Sequence, residues 1–146
     1  MNPYDREKTR VSFIGFGKRA KMFYAPILQG LDDTFALCGF TKRTTSNIEE
    51  ISDTYGLDHY SSIDSLIAET NPDLLILPVP HHQTIGILNQ INNFKGVIFV
   101  DSPVNFSTNE NQNLNILASE QWPFLPIEQF KKTIIESGAL GDIFYA

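Results

Sequence analysis

A glycine-rich turn near the N-terminus carries the clearest chemical signal in the sequence. Gly15 and Gly17 are one residue apart, and the small Ala20 follows three positions later. This spacing is typical of a turn that binds the pyrophosphate of a dinucleotide: Gly15 makes the tight turn, Gly17 lets phosphate approach the backbone, and Ala20 lets the next helix pack closely on the strand. A glycine turn that binds nothing is the alternative interpretation. The predicted phosphate-binding residues are Gly15, Phe16, Gly17, Lys18, Arg19 and Ala20.

A hydroxyl and two cations, Thr41, Lys42 and Arg43, follow the second apolar run of the chain. At this distance from the glycine turn, a site that prefers NAD presents Asp or Glu to the ribose hydroxyls. A hydroxyl and two cations suit a ribose phosphate better, so the sequence predicts NADP or NAD as cofactor, with NADP preferred. A solvent-exposed basic turn without a ligand is the alternative.

Two adjacent histidines, His81 and His82, follow Pro80 after another apolar run. Because open α/β sheets bind ligands at the carboxyl ends of their strands, Pro80 and His81 are candidate residues of a cofactor loop; a surface loop without function is the alternative. Neither Cys nor a cluster of carboxylates accompanies the histidines, so we expect no metal site. His82, Asp101 and Ser102 do not indicate a hydrolase triad, because no Gly-x-Ser-x-Gly elbow surrounds the serine.

The elements that must position these residues alternate between strand and helix. Apolar runs predict strands over residues 11–14, 35–40, 57–60, 74–77 and 97–100, with a possible short strand over 122–125. Helical spacing and capping residues predict helices over residues 18–28, 48–55, 65–69, 84–92, 108–119 and 127–137. This alternation predicts an α/β fold, a doubly wound parallel sheet of Rossmann type.

Single residues add local expectations to this outline. Ser46 has the pattern of an N-cap for the second helix, and Pro26 should bend the first helix or restrict its last turn. Phe23 and Tyr24 should pack that helix on the sheet, and Cys38 should be a small buried strand residue.

Length and charge limit the classes of partner. The chain has 146 residues, a formal net charge of −6 and one cysteine, which suit one domain without an internal disulfide. An acidic balance argues against binding nucleic acid or anionic lipid, since both require clustered Lys and Arg. The polar N-terminus lacks the apolar core of a signal peptide, so we expect a soluble, cytoplasmic protein.

The sequence resembles the glucose-fructose oxidoreductase/inositol dehydrogenase family, often called Gfo/Idh/MocA. The runs that carry the resemblance are FIGFG at 13–17, FYAPIL at 23–28, LPVP at 77–80, VIFVDSP at 97–103 and IIESGALGDI at 134–143. The resemblance implies NAD(P)-dependent oxidation of sugar-type substrates, with Pro80, His81 and Asp101 beside the nicotinamide.

The resemblance also implies a division of the chain into two parts. Residues 1–125 would form the dinucleotide-binding domain, and residues 126–146 a connecting helix and the start of a truncated C-terminal domain. Residues 141–146 would open a further strand. We therefore expect the substrate domain to be absent, or a protein partner to supply it.

Two positions depart from the family pattern. The family carries Glu-Lys-Pro where this chain has Asp101, Ser102 and Pro103, and its lysine contacts the substrate and takes part in proton transfer. Serine supplies neither the positive charge nor this proton transfer. Thr84 stands where the family usually has a histidine. We therefore assign no catalytic residue and expect the chain alone not to be catalytically competent. A non-catalytic binding or assembly protein derived from this fold is the alternative.

Overall fold

Parallel strands form the centre of the molecule in a computed structural model, which describes residues 8–101, 113–120 and 122–142. The strands are β1 (Thr9–Ile14), β2 (Phe35–Thr41), β3 (Asp58–Tyr60), β4 (Leu74–Leu77), β5 (Val97–Asp101) and β6 (Asn115–Ser119). They form one six-stranded sheet in the order β3-β2-β1-β4-β5-β6. Every pair is parallel, which confirms the predicted doubly wound Rossmann-type sheet.

Helices connect the strands and cover both faces of the sheet. They are a π-helical segment (Ala20–Tyr24) that continues into α1 (Ala25–Gln29), then α2 (Ile48–Tyr55), α3 (Ile63–Thr70), α4 (His81–Gln90), a 3₁₀ turn (Trp122–Phe124) and α5 (Pro126–Glu136). None of the helices in the described ranges is long and apolar enough to cross a membrane.

Two apolar clusters lie on opposite faces of the sheet. The first includes Phe13, Phe40 and Ile51, and the second includes Leu75 and Leu88. The central strand β4 reads Leu-Leu-Ile-Leu without polar alternation, as expected for a parallel strand covered on both faces. Burial of these apolar strands stabilises the sheet. The sheet in turn holds in place the strand ends at which a ligand would bind.

The strand β6 replaces part of a predicted helix. The prediction of a helix over residues 108–119 is wrong for Asn115–Ser119, which pair in parallel with Val97–Asp101 over five positions. Leu117 and Ala118 favour helix locally, but pairing with β5 and packing of Ile116 on the second cluster outweigh that preference. Residues 108–112 lie outside the described ranges.

Three smaller predictions are also corrected. The possible strand over residues 122–125 is instead the 3₁₀ turn Trp122–Phe124. The residue that precedes α2 is Asn47, not Ser46; it takes the left-handed conformation with φ 61°, and its side chain donates to Glu50. Cys38 lies in β2 as predicted, but its side chain is half-buried rather than buried. The strand expected over residues 141–146 falls mostly on undescribed residues, and 141–142 form no element.

A wide turn gives the first helix its shape. Ala25 N–H donates to the carbonyl of Ala20, five residues back, so the helix is π-helical before Pro26. Pro26 then stands in the first turn of α1, where its missing N–H costs least. Tyr24 packs edge-on against Phe99 with ring centroids 5.7 Å apart, as predicted. Phe23 does not pack on the sheet as expected, because the wide turn leaves it 51% exposed.

Candidate functional site

A cleft of about 520 Å³ opens at the carboxyl ends of β1, β2, β3 and β4. Its lining comprises residues 14–17, 41–44, 61–63 and 78–80, together with Gln83, Ile87 and Gln90 of α4. The strand order reverses direction between β1 and β4, which is where doubly wound sheets bind dinucleotides. The cleft therefore lies at the position that the fold favours for a ligand.

Gly15 is required by the fold itself. Its φ is +88°, and a Cβ atom there would lie 2.7 Å from Val79 Cγ1. Its N–H donates to the Thr41 carbonyl at 3.1 Å and lies 3.3 Å from Thr41 Oγ1. A side chain at Gly15 would strain the backbone and collide with the loop after β4.

Gly17 is not required by packing. It lines the cleft, its φ lies outside the left-handed region, and no other heavy atom comes within 4 Å of where its Cβ would stand. The backbone there faces open space, which is the cradle that a pyrophosphate needs for close approach. The first hydrogen bond of the helix runs from Lys21 N–H to the Gly17 carbonyl at 3.1 Å. The amides of residues 18–20 therefore have no acceptor within the helix and are available to a phosphate.

Phe16 and Ala20 are buried residues that pack the glycine turn against the core. Phe16 is buried and contacts three aromatic rings, those of Phe13, Phe40 and Tyr55, with centroids 5.1 to 5.2 Å apart. Ala20 is fully buried where the helix crosses the sheet. Both side chains fix the turn rather than offer a polar group to a ligand.

The two cations of the basic turn differ in what they can do. Thr41, Lys42 and Arg43 all line the cleft. Lys42 Nζ donates to the carbonyl of Ser46 and so closes the loop before α2. Arg43 is exposed, and the described residues give its guanidinium neither a hydrogen bond nor an ion pair. Among the described residues, Arg43 is therefore the cation without a partner at this end of the cleft.

The loop after β4 reaches the cleft through Pro80, whereas His81 begins α4 outside the lining. The rings of His81 and His82 meet edge to face, with centroids 5.8 Å apart. Across the described ranges, no three His, Cys, Asp or Glu side chains come together as possible metal ligands.

Asp101 lies outside the cleft lining, at the end of β5, in a cluster with Arg19, Tyr24 and Ser119. Its carboxylate is 9% exposed at the end of β5 and pairs with Arg19 Nε at 2.7 Å. The Tyr24 hydroxyl donates to the same carboxylate, and Ser119 Oγ lies 3.4 Å from the phenolic oxygen. Burial raises the pKa of the Tyr24 phenol, and the hydrogen bond to Asp101 raises it further.

The predicted residues thus fall into two groups. Those that line the cleft are Gly15, Phe16, Gly17, Thr41, Lys42, Arg43 and Pro80. Those that do not line it are Lys18, Arg19, Ala20, His81 and Asp101. Ser102 lies outside the described ranges, and Thr84 is buried in α4.

Sequence reasoning missed several lining residues and one member of the Asp101 cluster. Ser61 and Ser62 line the cleft after β3, and two polar residues directly after a short strand were the available signal. Gln83 and Gln90 of α4 carried no such signal. Tyr24 was assigned to packing only, and its contact with Asp101 spans 77 residues of sequence, which no local pattern reveals.

Comparison with known proteins agrees with this geometry. Residues 9–123 match the family model for the Gfo/Idh/MocA oxidoreductases, whose fold is an NAD-binding Rossmann fold. An uncharacterized oxidoreductase from Schizosaccharomyces pombe is 23% identical over 145 residues, covering 92% of this chain and 39% of the relative.

Two solved structures show the same fold at lower identity. The WlbA dehydrogenase from Bordetella pertussis, in complex with NADH and UDP-GlcNAcA, has a TM-score of 0.82 and 17% identity, covering 94% of this chain and 45% of that chain. A variant of KijD10, a 3-ketoreductase from Actinomadura kijaniata, in complex with TDP-benzene and NADP, has a TM-score of 0.75 and 14% identity, with 94% and 45% covered. The chain thus spans about two fifths of the length of these proteins. Because the family model covers most of the sequence, this chain belongs to the Gfo/Idh/MocA oxidoreductase family and provides its NAD-binding Rossmann fold.

Proposed function

We propose that the cleft binds NADP or NAD, with NADP preferred, as the cofactor of a sugar-type oxidoreductase. The observation that carries this proposal is the open space in front of Gly17, because a glycine that packing does not require leaves room for a ligand. Residues 15–20 would hold the pyrophosphate. Thr41 and Arg43 would hold the adenosine ribose, and Pro80, His81 and Asp101 would flank the nicotinamide.

The bound cofactor supplies hydride transfer, and the residues of this chain bind and orient it. Amides at the start of the first helix and its positive dipole end favour the phosphates. The free guanidinium of Arg43 suits the ribose phosphate of NADP, since planar paired donors match its oxygens. Val79 and Ile87 line the cleft with apolar side chains, which would exclude water from one side of a bound cofactor.

The first test compares two glycines with valine substitutions. Gly17→Val puts a side chain into open space, so we expect a folded protein that loses NADPH binding in a nicotinamide fluorescence titration. Gly86→Val is the matched control, because Gly86 lies on the exposed side of α4, also with open space at its Cβ and outside the cleft lining. Unchanged affinity in Gly17→Val, or no wild-type binding of NADPH or NADH, would contradict the proposal.

We also infer that the chain does not oxidise a sugar by itself, because Ser102 stands where the family resemblance implies a lysine. This residue favours the second candidate function, a non-catalytic binding or assembly protein derived from this fold. The test is NADPH formation from NADP with a panel of sugars and polyols. Turnover by the wild-type chain would contradict the inference, and a variant Ser102→Lys shows whether the lysine alone restores it.

A further inference from the structure

Asp101 is the only buried carboxylate among the described residues, and its two strong partners come from the start of the first helix. Arg19 reaches it with Nε at 2.7 Å, and Tyr24 donates its hydroxyl proton to it. The cluster therefore ties the helix that follows the glycine turn to the end of β5, 77 residues later in the sequence.

The π-helical segment makes this double contact possible. A π-turn closes its hydrogen bond over five residues instead of four, so residues five apart come onto the same face of the helix. Arg19 and Tyr24 are five residues apart. Each directly precedes one of the two residues, Ala20 and Ala25, whose hydrogen bond closes the π-turn. In a regular α-helix, residues that share a face are three or four apart, and these two would diverge.

A contribution to folding stability does not explain the ion pair between Arg19 and Asp101. The Arg19 side chain is 58% exposed, and ion pairs of such exposed groups contribute little to folding because water competes for them. The geometry instead places the pair beside the site. In the sheet, β5 lies two strands from β1, each step being about 4.8 Å. The strand β2, which carries the basic turn, lies on the other side of β1.

We propose that Arg19 and Tyr24 are positioning residues that hold Asp101, and with it the end of β5, against the glycine turn. The cluster thereby sets the affinity for the nicotinamide half of the dinucleotide and leaves the adenosine half unaffected. This inference rests on the proposed function, since it concerns the same site. The inference gives Tyr24 a role in positioning Asp101, although Tyr24 belongs neither to the glycine turn nor to the cleft lining.

The experiment uses two ligands and four variants of the 146-residue chain, one of them a control. Calorimetry measures binding of NADPH, which spans both halves, and of adenosine 2′,5′-bisphosphate, which carries only the adenosine half. For Tyr24→Phe we expect the NADPH dissociation constant to rise by about tenfold and that of the bisphosphate to stay within about twofold. Arg19 also belongs to the predicted pyrophosphate turn, so for Arg19→Gln we expect a rise for both ligands that is clearly larger for NADPH. Arg19→Lys, which keeps the charge, should recover part of the loss.

Lys21→Gln is the matched control. Lys21 lies on the same helix and pairs with Glu50 at 3.5 Å, so the variant removes the same charge but leaves the Asp101 cluster intact. We expect it to bind both ligands as the wild type does. Equal losses for both ligands in Arg19→Gln, no loss in either variant, or an equal effect of Lys21→Gln would overturn the inference. If the wild-type chain binds neither ligand, the proposed function fails as well. If the wild-type chain binds both ligands and the variants lose no NADPH binding, only the inference about the cluster fails.

Discussion

Gly15 and Gly17 belong to one motif, but the structure gives them separate reasons to be glycine. Gly15 serves the fold, because a side chain would meet Val79 and strain a φ of +88°. Gly17 faces open space, which leaves room for the ligand we propose. A motif read from sequence treats both positions alike, whereas the space around each Cβ separates a structural requirement from a binding requirement.

Arg43 should determine the preference between the two cofactors. Its guanidinium is free at the cleft, whereas Lys42 is already bonded to the Ser46 carbonyl. Arg43→Gln should therefore weaken NADPH binding by about tenfold or more, the value of a charge-assisted hydrogen bond, and leave NADH binding nearly unchanged. Parallel fluorescence titrations with the two nucleotides measure this. An equal change for NADPH and NADH, or a larger effect of Lys42→Gln, would assign the ribose phosphate elsewhere.

Tyr24 should make the stability of the fold depend on alkaline pH. Burial and the hydrogen bond to Asp101 raise the pKa of its phenol above the ordinary value of about 10. The neutral phenol therefore stabilises the folded state fully below pH 10, and this contribution is lost as pH rises through the folded pKa. Urea unfolding between pH 8 and about 11.5 should show a steeper alkaline loss in the wild type than in Tyr24→Phe. Parallel curves for the two proteins would contradict this assignment.

At the scale of elements, the sequence predicted the strands that are buried on both faces. β4 and β5 are short unbroken apolar runs, and such a run between turn residues has few alternatives in an α/β chain. The prediction failed at β6, where Asn115–Ser119 is an edge strand with mixed local preference. Pairing with β5 forms that strand, and pairing is not visible in a window of five residues.

Two neighbouring residues of β6 should differ in how strongly their truncation destabilises the fold. Ile116 packs against the second apolar cluster, whereas Leu117 is 54% exposed on the other face. Ile116→Ala should lower the free energy of unfolding by about 1–2 kcal/mol, and Leu117→Ala by less than about 0.5 kcal/mol. Urea denaturation measures both. A larger loss in Leu117→Ala would mean that β6 presents the opposite face to the core.

At the scale of the whole molecule, α5 contributes little to the described core. None of its residues is buried, and Ile127, Phe130 and Ile135 are exposed along its length. We propose, as the sequence predicted, that the dinucleotide-binding domain spans residues 1–125 and that 126–146 form a connecting segment.

Removal of residues 126–146 tests this division. We expect the shortened chain to keep its melting temperature within about 4 °C, the change that about 1 kcal/mol produces in a domain of this size. We also expect it to bind NADPH as the 146-residue chain does. Differential scanning calorimetry and fluorescence titration measure the two quantities. A cooperative loss of both would make α5 part of the domain.

The site as a whole was only partly predictable from the sequence. The glycine turn and the basic turn are local motifs, so a short stretch of sequence is enough to predict each of them. The Asp101 cluster and the Ser61 and Ser62 edge arise from strand order and from the π-turn, which bring distant residues together. Local patterns therefore predicted two segments that line the cleft, and only three-dimensional packing revealed the remaining residues.

The Asp101 cluster also has a consequence for the history of the sequence. One buried carboxylate serves two donors, so loss of Asp101 would leave a guanidinium and a phenol without their acceptor, and loss of both donors would leave a buried charge uncompensated. A change at one position makes change at the others advantageous. Among related sequences, positions 19, 24 and 101 should therefore vary together rather than independently, and an aspartate at 101 should accompany a hydrogen-bond donor at 24.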